Sequence, residues 1–301
     1  MIDINREIAA LDWQREPLGL YEPIGYTLAA GGKRLRPTLA LTACRIFGGN
    51  EQEVIPAALA LEVFHNFTLL HDDVMDKAQV RRGRPCVHIK WDENTAILSG
   101  DQMLIEAYKL LAQLPADRLP EVLRLFNTMA TEICEGQQRD VDLAQVASAE
   151  IADYMLMIRQ KTAVLLATAL QIGAYMAGAD KAAQQALYEY GIRVGLAFQL
   201  QDDYLDCFGD ERTFGKAIGG DIREGKKTWM WLQARAKGMP DTQGNVERTL
   251  AEYRRLGIDT MAHAEIQRLT DEAQTYLESL PRNEATDTLR RMAEQLVTRM
   301  N

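Results

Sequence analysis

Two long apolar runs in this chain end in the same acidic pattern, Asp72-Asp73-Val74-Met75-Asp76 and Asp202-Asp203-Tyr204-Leu205-Asp206, and the two patterns begin 130 residues apart. The sequences that lead into them, Phe64-His65-Asn66-Phe67-Thr68-Leu69-Leu70 and Val194-Gly195-Leu196-Ala197-Phe198, read as helix. Helical positions i and i+4 lie about 40° apart around the axis, so Asp72 and Asp76 face one way, and so do Asp202 and Asp206. Each pattern is therefore a carboxylate claw at a helix end. Acids this close repel one another and take up protons or splay apart unless cations sit between them. Oxygen donors without a Cys or His partner suit a hard ion, and separated carboxylates with room for waters and a polyanion suit Mg²⁺ best. A substrate phosphate is the natural remaining ligand. One such pattern could equally be a solvated acidic helix end, but random surfaces rarely repeat one spacing after two runs this apolar.

Around the claws the chain reads as all-α. Apolar residues recur at intervals of three and four, Ala and Leu abound, and alternating β-type stretches are absent. Breaks fall at Gly31-Gly32, Gly48-Gly49, Arg82-Gly83-Arg84-Pro85, Leu114-Pro115, Gly178, Phe208-Gly209, the glycine-rich 215–225 stretch and Gly238-Met239-Pro240. They predict ten or more helices, the longest over 51–76, 94–113, 120–146, 149–177 and 183–208. These are apolar around much of their circumference, as central helices packed on all sides would be. No low-complexity linker or charge block divides the chain, so residues 1–301 read as one domain, and the tail after about 240 as three amphipathic helices.

Composition narrows the function classes. With 301 residues, 47% of them hydrophobic and 26% charged, the chain can bury a large core and is not disordered. Cys44, Cys86, Cys134 and Cys207 have neither CxxC nor CxxH spacing, which suggests no zinc site and no disulfide frame, and fits a reducing cytoplasm. The N-terminus carries no apolar signal stretch and no run of about 18 uncharged apolar residues occurs, so a soluble cytoplasmic protein without a membrane span is expected. A formal net charge of −9 argues against a nucleic-acid partner. Any polyanion must be met by local basic clusters.

Such clusters lie beside both claws. Gly31-Gly32-Lys33-Arg34-Leu35-Arg36-Pro37 offers a flexible turn and three cations at a helix start, where free backbone N–H groups also attract anions. Arg81-Arg82-Gly83-Arg84-Pro85 puts three guanidiniums, suited to bidentate phosphate contacts, just past the first claw. Lys216, Lys226 and Lys227 follow the second in a glycine-rich stretch. Taken singly, each of these is an ordinary surface cation. Lys161 differs, because it precedes Thr162-Ala163-Val164-Leu165-Leu166, where a charge is costly unless a ligand or carboxylate meets it.

In order and spacing, these motifs resemble the trans-isoprenyl diphosphate synthases, the family of farnesyl and geranylgeranyl diphosphate synthases. The resemblance runs from about Gly31 to Thr228. It takes in Gly31–Pro37, Glu62 with His65, the first claw, Arg81-Arg82-Gly83, Gly100-Asp101, Lys161-Thr162, Phe198-Gln199, the second claw, Gly215-Lys216 and Gly225-Lys226-Lys227-Thr228. Two positions depart from the pattern: Cys86 replaces the usual Thr after the Arg-Arg-Gly turn, and Lys77 follows the first claw, where it could compete for Asp76. Neither is expected to touch a residue of the chemistry.

The resemblance implies an isoprenoid synthase fold, mostly antiparallel helices around a deep cavity, in a homodimer. It implies an allylic diphosphate held by Mg²⁺, three ions with substrate bound, bridging Asp72, Asp76 and Asp202, with Arg81, Lys161, Lys216 and Lys226 on the phosphates and Asp73, Asp203 and Asp206 supporting the cluster. Isopentenyl diphosphate would be gripped by Lys33, Arg36, His65 and Arg82, and Thr162 and Gln199 would stabilise an allylic cation. Product length is expected to follow the residues one and two turns before the first claw. A bulky Phe67 at the fifth position, Thr68 at the fourth, Phe64 at the eighth and no insertion in the claw resemble short-chain synthases making C20, with C15 as the alternative.

The residues argue against other classes. A di-iron bundle would need a second Glu-x-x-His besides Glu62-Val63-Phe64-His65, and none of His71, His88 and His263 has a Glu three residues earlier. A type I terpene cyclase would not need Lys33, Arg36 and Arg82. A non-catalytic partner subunit would be expected to lose part of a claw, and both are complete.

Overall fold

The computed structural model describes residues 2–146, 148–209 and 218–298. They form two compact units, one of Met1–Leu125 with Ala169–Ala179 and the other of Phe126–Thr168 with Asp180–Asn301. Among the described residues the elements are helices apart from one hairpin of two short strands, as the spacing predicts.

In the first unit, α1 (Ile4–Ala9), α2 (Leu18–Leu28), α3 (Leu35–Ile46), α4 (Glu51–Met75), α5 (Val87–Lys90) and α6 (Glu93–Leu111) surround the hairpin β1 (Val80–Arg81) and β2 (Arg84–Pro85). Helix α4 is the core: it packs on α3 and α6, and Val54, Ala57, Ala58, Leu61, Val63 and Phe64 are buried. The Asn50 side chain accepts from the Gln52 N–H to start it, and Glu51 and Glu53 complement the positive end of its dipole. It is long and apolar enough to cross a bilayer. However, 61% of that stretch is buried inside the protein and Glu62 interrupts it. At its other end Asp76 caps the last turn and Lys77 turns left-handed, leading the chain into the hairpin. The sequence reads 81–85 as a loop. Pairing of Val80 with Pro85 and Arg81 with Arg84 instead makes it a hairpin with fixed arginines.

The second unit holds residues 126–145 of α7 (Leu119–Gln145), α8 (Ile151–Ile158), residues 164–168 of α9 (Val164–Met176), α10 (Lys181–Phe208), α11 (Gly220–Arg223), α12 (Trp229–Ala236), α13 (Val246–Arg255), α14 (Ile258–Leu277) and α15 (Glu284–Thr298). Helices α13 to α15 are the three expected beyond residue 240. α10 packs along α14, and the Tyr190 hydroxyl donates to the Leu289 carbonyl at 2.6 Å, which ties α15 on.

The helix expected over 149–177 is not uniform. Between α8 and α9 the backbone widens into a π turn over Arg159–Ala163. Two glycines let neighbouring backbones crowd it. A Cβ at Gly136 of α7 would lie 2.4 Å from the Lys161 nitrogen, and one at Gly195 of α10 would lie 2.4 Å from the Ala163 Cα. Single π turns of this kind are frequent at functional sites, and this one carries Lys161 and Thr162.

Candidate active site

Both claws stand at the C-terminal ends of their helices, α4 and α10. Carboxylates there meet the negative end of the helix dipole as well as one another, so each claw needs compensation. The two units solve this differently.

In the first unit the compensation is a guanidinium. Asp73 is buried and accepts from Arg81 Nε at 2.7 Å, while Arg81 Nη2 lies 4.0 Å from Asp72. The hairpin sets that arginine, so the phosphate-binding role expected of Arg81 starts from an ion pair with the claw. Asp72 is half-buried and Asp76 exposed. The Cys86 thiol also hydrogen-bonds Asp73, and burial together with that carboxylate pushes it up to about 12. This corrects the expectation that Cys86 touches nothing in the chemistry. A thiol donor stands at the position where the family pattern has threonine.

The expected phosphate cradle lies in the same unit. Lys33 is exposed and Arg36 half-buried, but Arg34 is turned inward into an ion pair with Glu62 at 2.7 Å, and both are buried. Of the three cations read as a cradle, Arg34 is thus structural. Burial lowers Arg36 to about 10, and burial with the charges of Arg36, Arg82, Arg81 and Arg34 drives His65 well below its usual value. His65 is a neutral imidazole, a hydrogen-bonding group and not a cation. Along α4, Phe67 meets Phe64 edge-on at 5.4 Å and His71 at 4.9 Å. Phe64 is fully buried, Phe67 and Thr68 half-buried, and Thr68 Oγ1 donates to the His65 carbonyl.

In the second unit a cavity of about 200 Å³ is lined by Lys161, Thr162, Gln199, Asp202, Asp203, Asp206 and Lys226. These residues, far apart in sequence, were all singled out from it. Asp202 is exposed, whereas Asp203 and Asp206 are turned into protein. Asp203 accepts from the Tyr154 hydroxyl and from Gln199 Nε2 at 3.1 Å, and Gln199 in turn accepts from Thr162 Oγ1 at 3.0 Å. Burial and the nearby Asp221 nevertheless raise Asp203 to about 8, so without metal this carboxyl keeps its proton at neutral pH. Asp206 accepts the backbone N–H groups of Gly220 and Asp221, and is likewise raised by burial and Asp221.

Three residues of this cavity escaped sequence reading. Asp140 pairs with Lys161 at 2.6 Å, so a carboxylate meets this charge. Asp221 faces Asp206 and pairs with Lys226 at 3.1 Å. Tyr154, a buried residue of an apolar helix, gave no signal before its contact with Asp203 was visible. Lys227 donates to the last carbonyls of α7, those of Leu143 and Ala144, and so acts on the helix end. Lys216 lies outside the described residues.

Among the described residues no three His, Cys, Asp or Glu groups converge as a ready-made metal cage. The donor set nonetheless fits a hard divalent ion. Five aspartates and no His or Cys line the cavity, and burial together with the neighbouring Asp221 raises Asp203.

The sequence profile of the polyprenyl synthetase family matches residues 18–264. The chain belongs to that family. This polyprenyl synthetase is 42% identical over 239 residues to a geranylgeranyl diphosphate synthase of Methanosarcina mazei, covering 78% of this chain and 74% of that protein. It is 37% identical over 312 residues to a geranylfarnesyl diphosphate synthase of Natronomonas pharaonis, covering 95% and 91%. Its backbone resembles a crystal structure of geranylgeranyl pyrophosphate synthase with a TM-score of 0.90 at 40% identity, covering 99% of each chain.

Proposed function

We propose that this polyprenyl synthetase is a short-chain trans-prenyltransferase that condenses isopentenyl diphosphate with allylic diphosphates to a C20 product. The observation that carries this reading is the second unit's cavity, where claw carboxylates, three lysines and the Thr162–Gln199 pair stand together. Resemblance to proteins named geranylgeranyl diphosphate synthase and the bulky Phe67 support C20.

Asp72, Asp76 and Asp202 would hold Mg²⁺, with Asp73, Asp203 and Asp206 in supporting roles. When bound, Mg²⁺ acts as a Lewis acid that neutralises charge on the departing diphosphate. Arg81, Lys161, Lys216 and Lys226 donate to the phosphate oxygens, and preorganised donors of this kind stabilise the charge that develops as the allylic C–O bond breaks. Thr162 and Gln199 present oxygen dipoles to the allylic cation. Lys33, Arg36 and Arg82, with the neutral His65, hold isopentenyl diphosphate. Its double bond forms the new C–C bond, and the proton released passes to the departed diphosphate. Apolar walls exclude the water that would quench the cation. The chain works in the cytoplasm, where its four free thiols stay reduced. Its assembly is a homodimer, as the family resemblance implies and as is commonest for soluble oligomers.

The test is Mg²⁺-dependent release of diphosphate, expected only when both substrates are present. Release from the allylic substrate alone would mark a cyclase, and none in either case a non-catalytic partner.

A further inference from the structure

Asn66 has no part in the roles assigned above, yet it is fully buried in α4 and its amide is used at both ends. Its Nδ2 donates to Glu62 Oε1 at 3.2 Å and to the Glu62 carbonyl at 2.8 Å, and its Oδ1 accepts from Arg82 Nη1 at 3.4 Å. The orientation is forced, since a carboxylate only accepts and a guanidinium only donates. The same Glu62 oxygen accepts from Arg34, which also donates to the Leu28 carbonyl and to Asn5 Oδ1. At the other end Arg82 Nη1 donates to the Gly31 carbonyl, and its guanidinium lies where a Cβ at Gly32 would meet it at 3.1 Å. A single chain of contacts thus runs from the 31–36 turn through Glu62 and Asn66 to the hairpin and back to the turn.

We propose that Asn66 is a positioning residue for the diphosphate of isopentenyl diphosphate, locking the 31–36 turn and the 81–84 hairpin into one register on α4. The inference rests on the function proposed above and deepens it. Four guanidiniums, those of Arg34, Arg36, Arg81 and Arg82, share the field of two buried carboxylates, Glu62 and Asp73. Glu62 Oε2 and Arg36 Nε are buried without a hydrogen-bond partner. The cluster therefore carries a net positive charge that an anionic ligand balances, provided the arginines keep their places. Only a side chain with a donor and an acceptor on one short stem satisfies Glu62 and Arg82 together. Leucine leaves both without it, and aspartate sets a second carboxylate against the first.

The experiment measures KM for each substrate, with kcat and the melting temperature, for the wild type, Asn66→Leu and Asn66→Asp. Removing a partner that orients a metal ligand costs about 10–100-fold in affinity or activity, and the lower end of that scale sets the expectation for an arginine on phosphate. The expected result is a rise of about tenfold in KM for isopentenyl diphosphate, with KM for the allylic diphosphate within about twofold of wild type. If Asn66→Leu does not fold, Asn66→Asp carries the comparison. In an Arg82→Ala background, Asn66→Leu should add less than about twofold, because Asn66 acts through Arg82. A KM for isopentenyl diphosphate that does not move, an equal rise in both KM values, or a full additional effect in the Arg82→Ala background would each overturn the assignment. A wild-type protein that condenses neither substrate would instead sink the functional reading, and this inference with it.

Discussion

Replacing Gly195 with Ala tests how the lysine and threonine of the cavity are held. The added methyl would sit 2.4 Å from the Ala163 Cα and 2.6 Å from its Cβ, whereas ordinary contact begins at 3.4 Å, so α10 and the π turn would have to part by about 1 Å. Neither side can yield by rotating a side chain, since the contact is backbone against backbone. Overpacking of a core typically costs about 1–3 kcal/mol. A helical Gly→Ala change returns about 1 kcal/mol of intrinsic propensity. With a gap this large the strain lies at the upper end, which leaves a net loss of roughly 2 kcal/mol, or roughly 3 °C in melting temperature for a chain of this size. Lys161 and Thr162 move with the turn, and a misplacement of about 1 Å at a reacting centre costs on the order of 100-fold. The expected result is a fall in kcat of at least tenfold. Gly19→Ala is the control. Gly19 lies near the start of α2 with nothing within 4 Å of the added methyl, and it should gain about 0.4–1 kcal/mol without changing kcat. Melting curves by circular dichroism and steady-state kinetics read both effects. A Gly195→Ala protein that melts and turns over like wild type would refute the close packing of α10 on the π turn.

Asp203→Asn should change the pH dependence of stability in metal-free protein. The folded carboxyl keeps its proton up to about 8 and the unfolded one releases it near 3.8, so the folded state binds the extra proton and wild-type stability falls as pH rises through that window. Urea titrations with chelator should show the variant gaining on wild type by up to about 1.4 kcal/mol per pH unit between pH 5 and 7.5, and parallel curves would contradict the protonated state. Arg34→Ala leaves Glu62 buried without its ion-pair partner and should cost about 3–5 kcal/mol, read by the same unfolding titration, with a loss under about 1 kcal/mol counting against a buried pair. Phe67→Ala removes the half-buried ring set edge-on between Phe64 and His71, and should lengthen the product beyond C20. Chromatography of dephosphorylated products from isopentenyl and farnesyl diphosphates checks it, and an unchanged length would remove Phe67 as the floor.

The chain alone determined what local spacing can carry. Helical periodicity placed α4, α6, α7 and α10 to within two residues, and the i, i+4 aspartates marked where α4 and α10 end. Charge chemistry said that Lys161 needs a ligand or a carboxylate but could not say which group meets it. Asp140 answers from 21 residues away, because only packing decides which turn of α7 faces the π turn. The exchange of Arg34 from cradle to core has the same origin: three cations in a row look alike until Glu62 is buried beneath one of them. Tyr154 gave no signal, and Cys86 was read as touching nothing in the chemistry, for a related reason, since an apolar helix and a single thiol acquire meaning only when folding aims them at Asp203 and Asp73. Residue types and their periods are properties of neighbours along the chain, whereas hydrogen-bond partners, burial and proton affinity depend on atoms brought close by the fold.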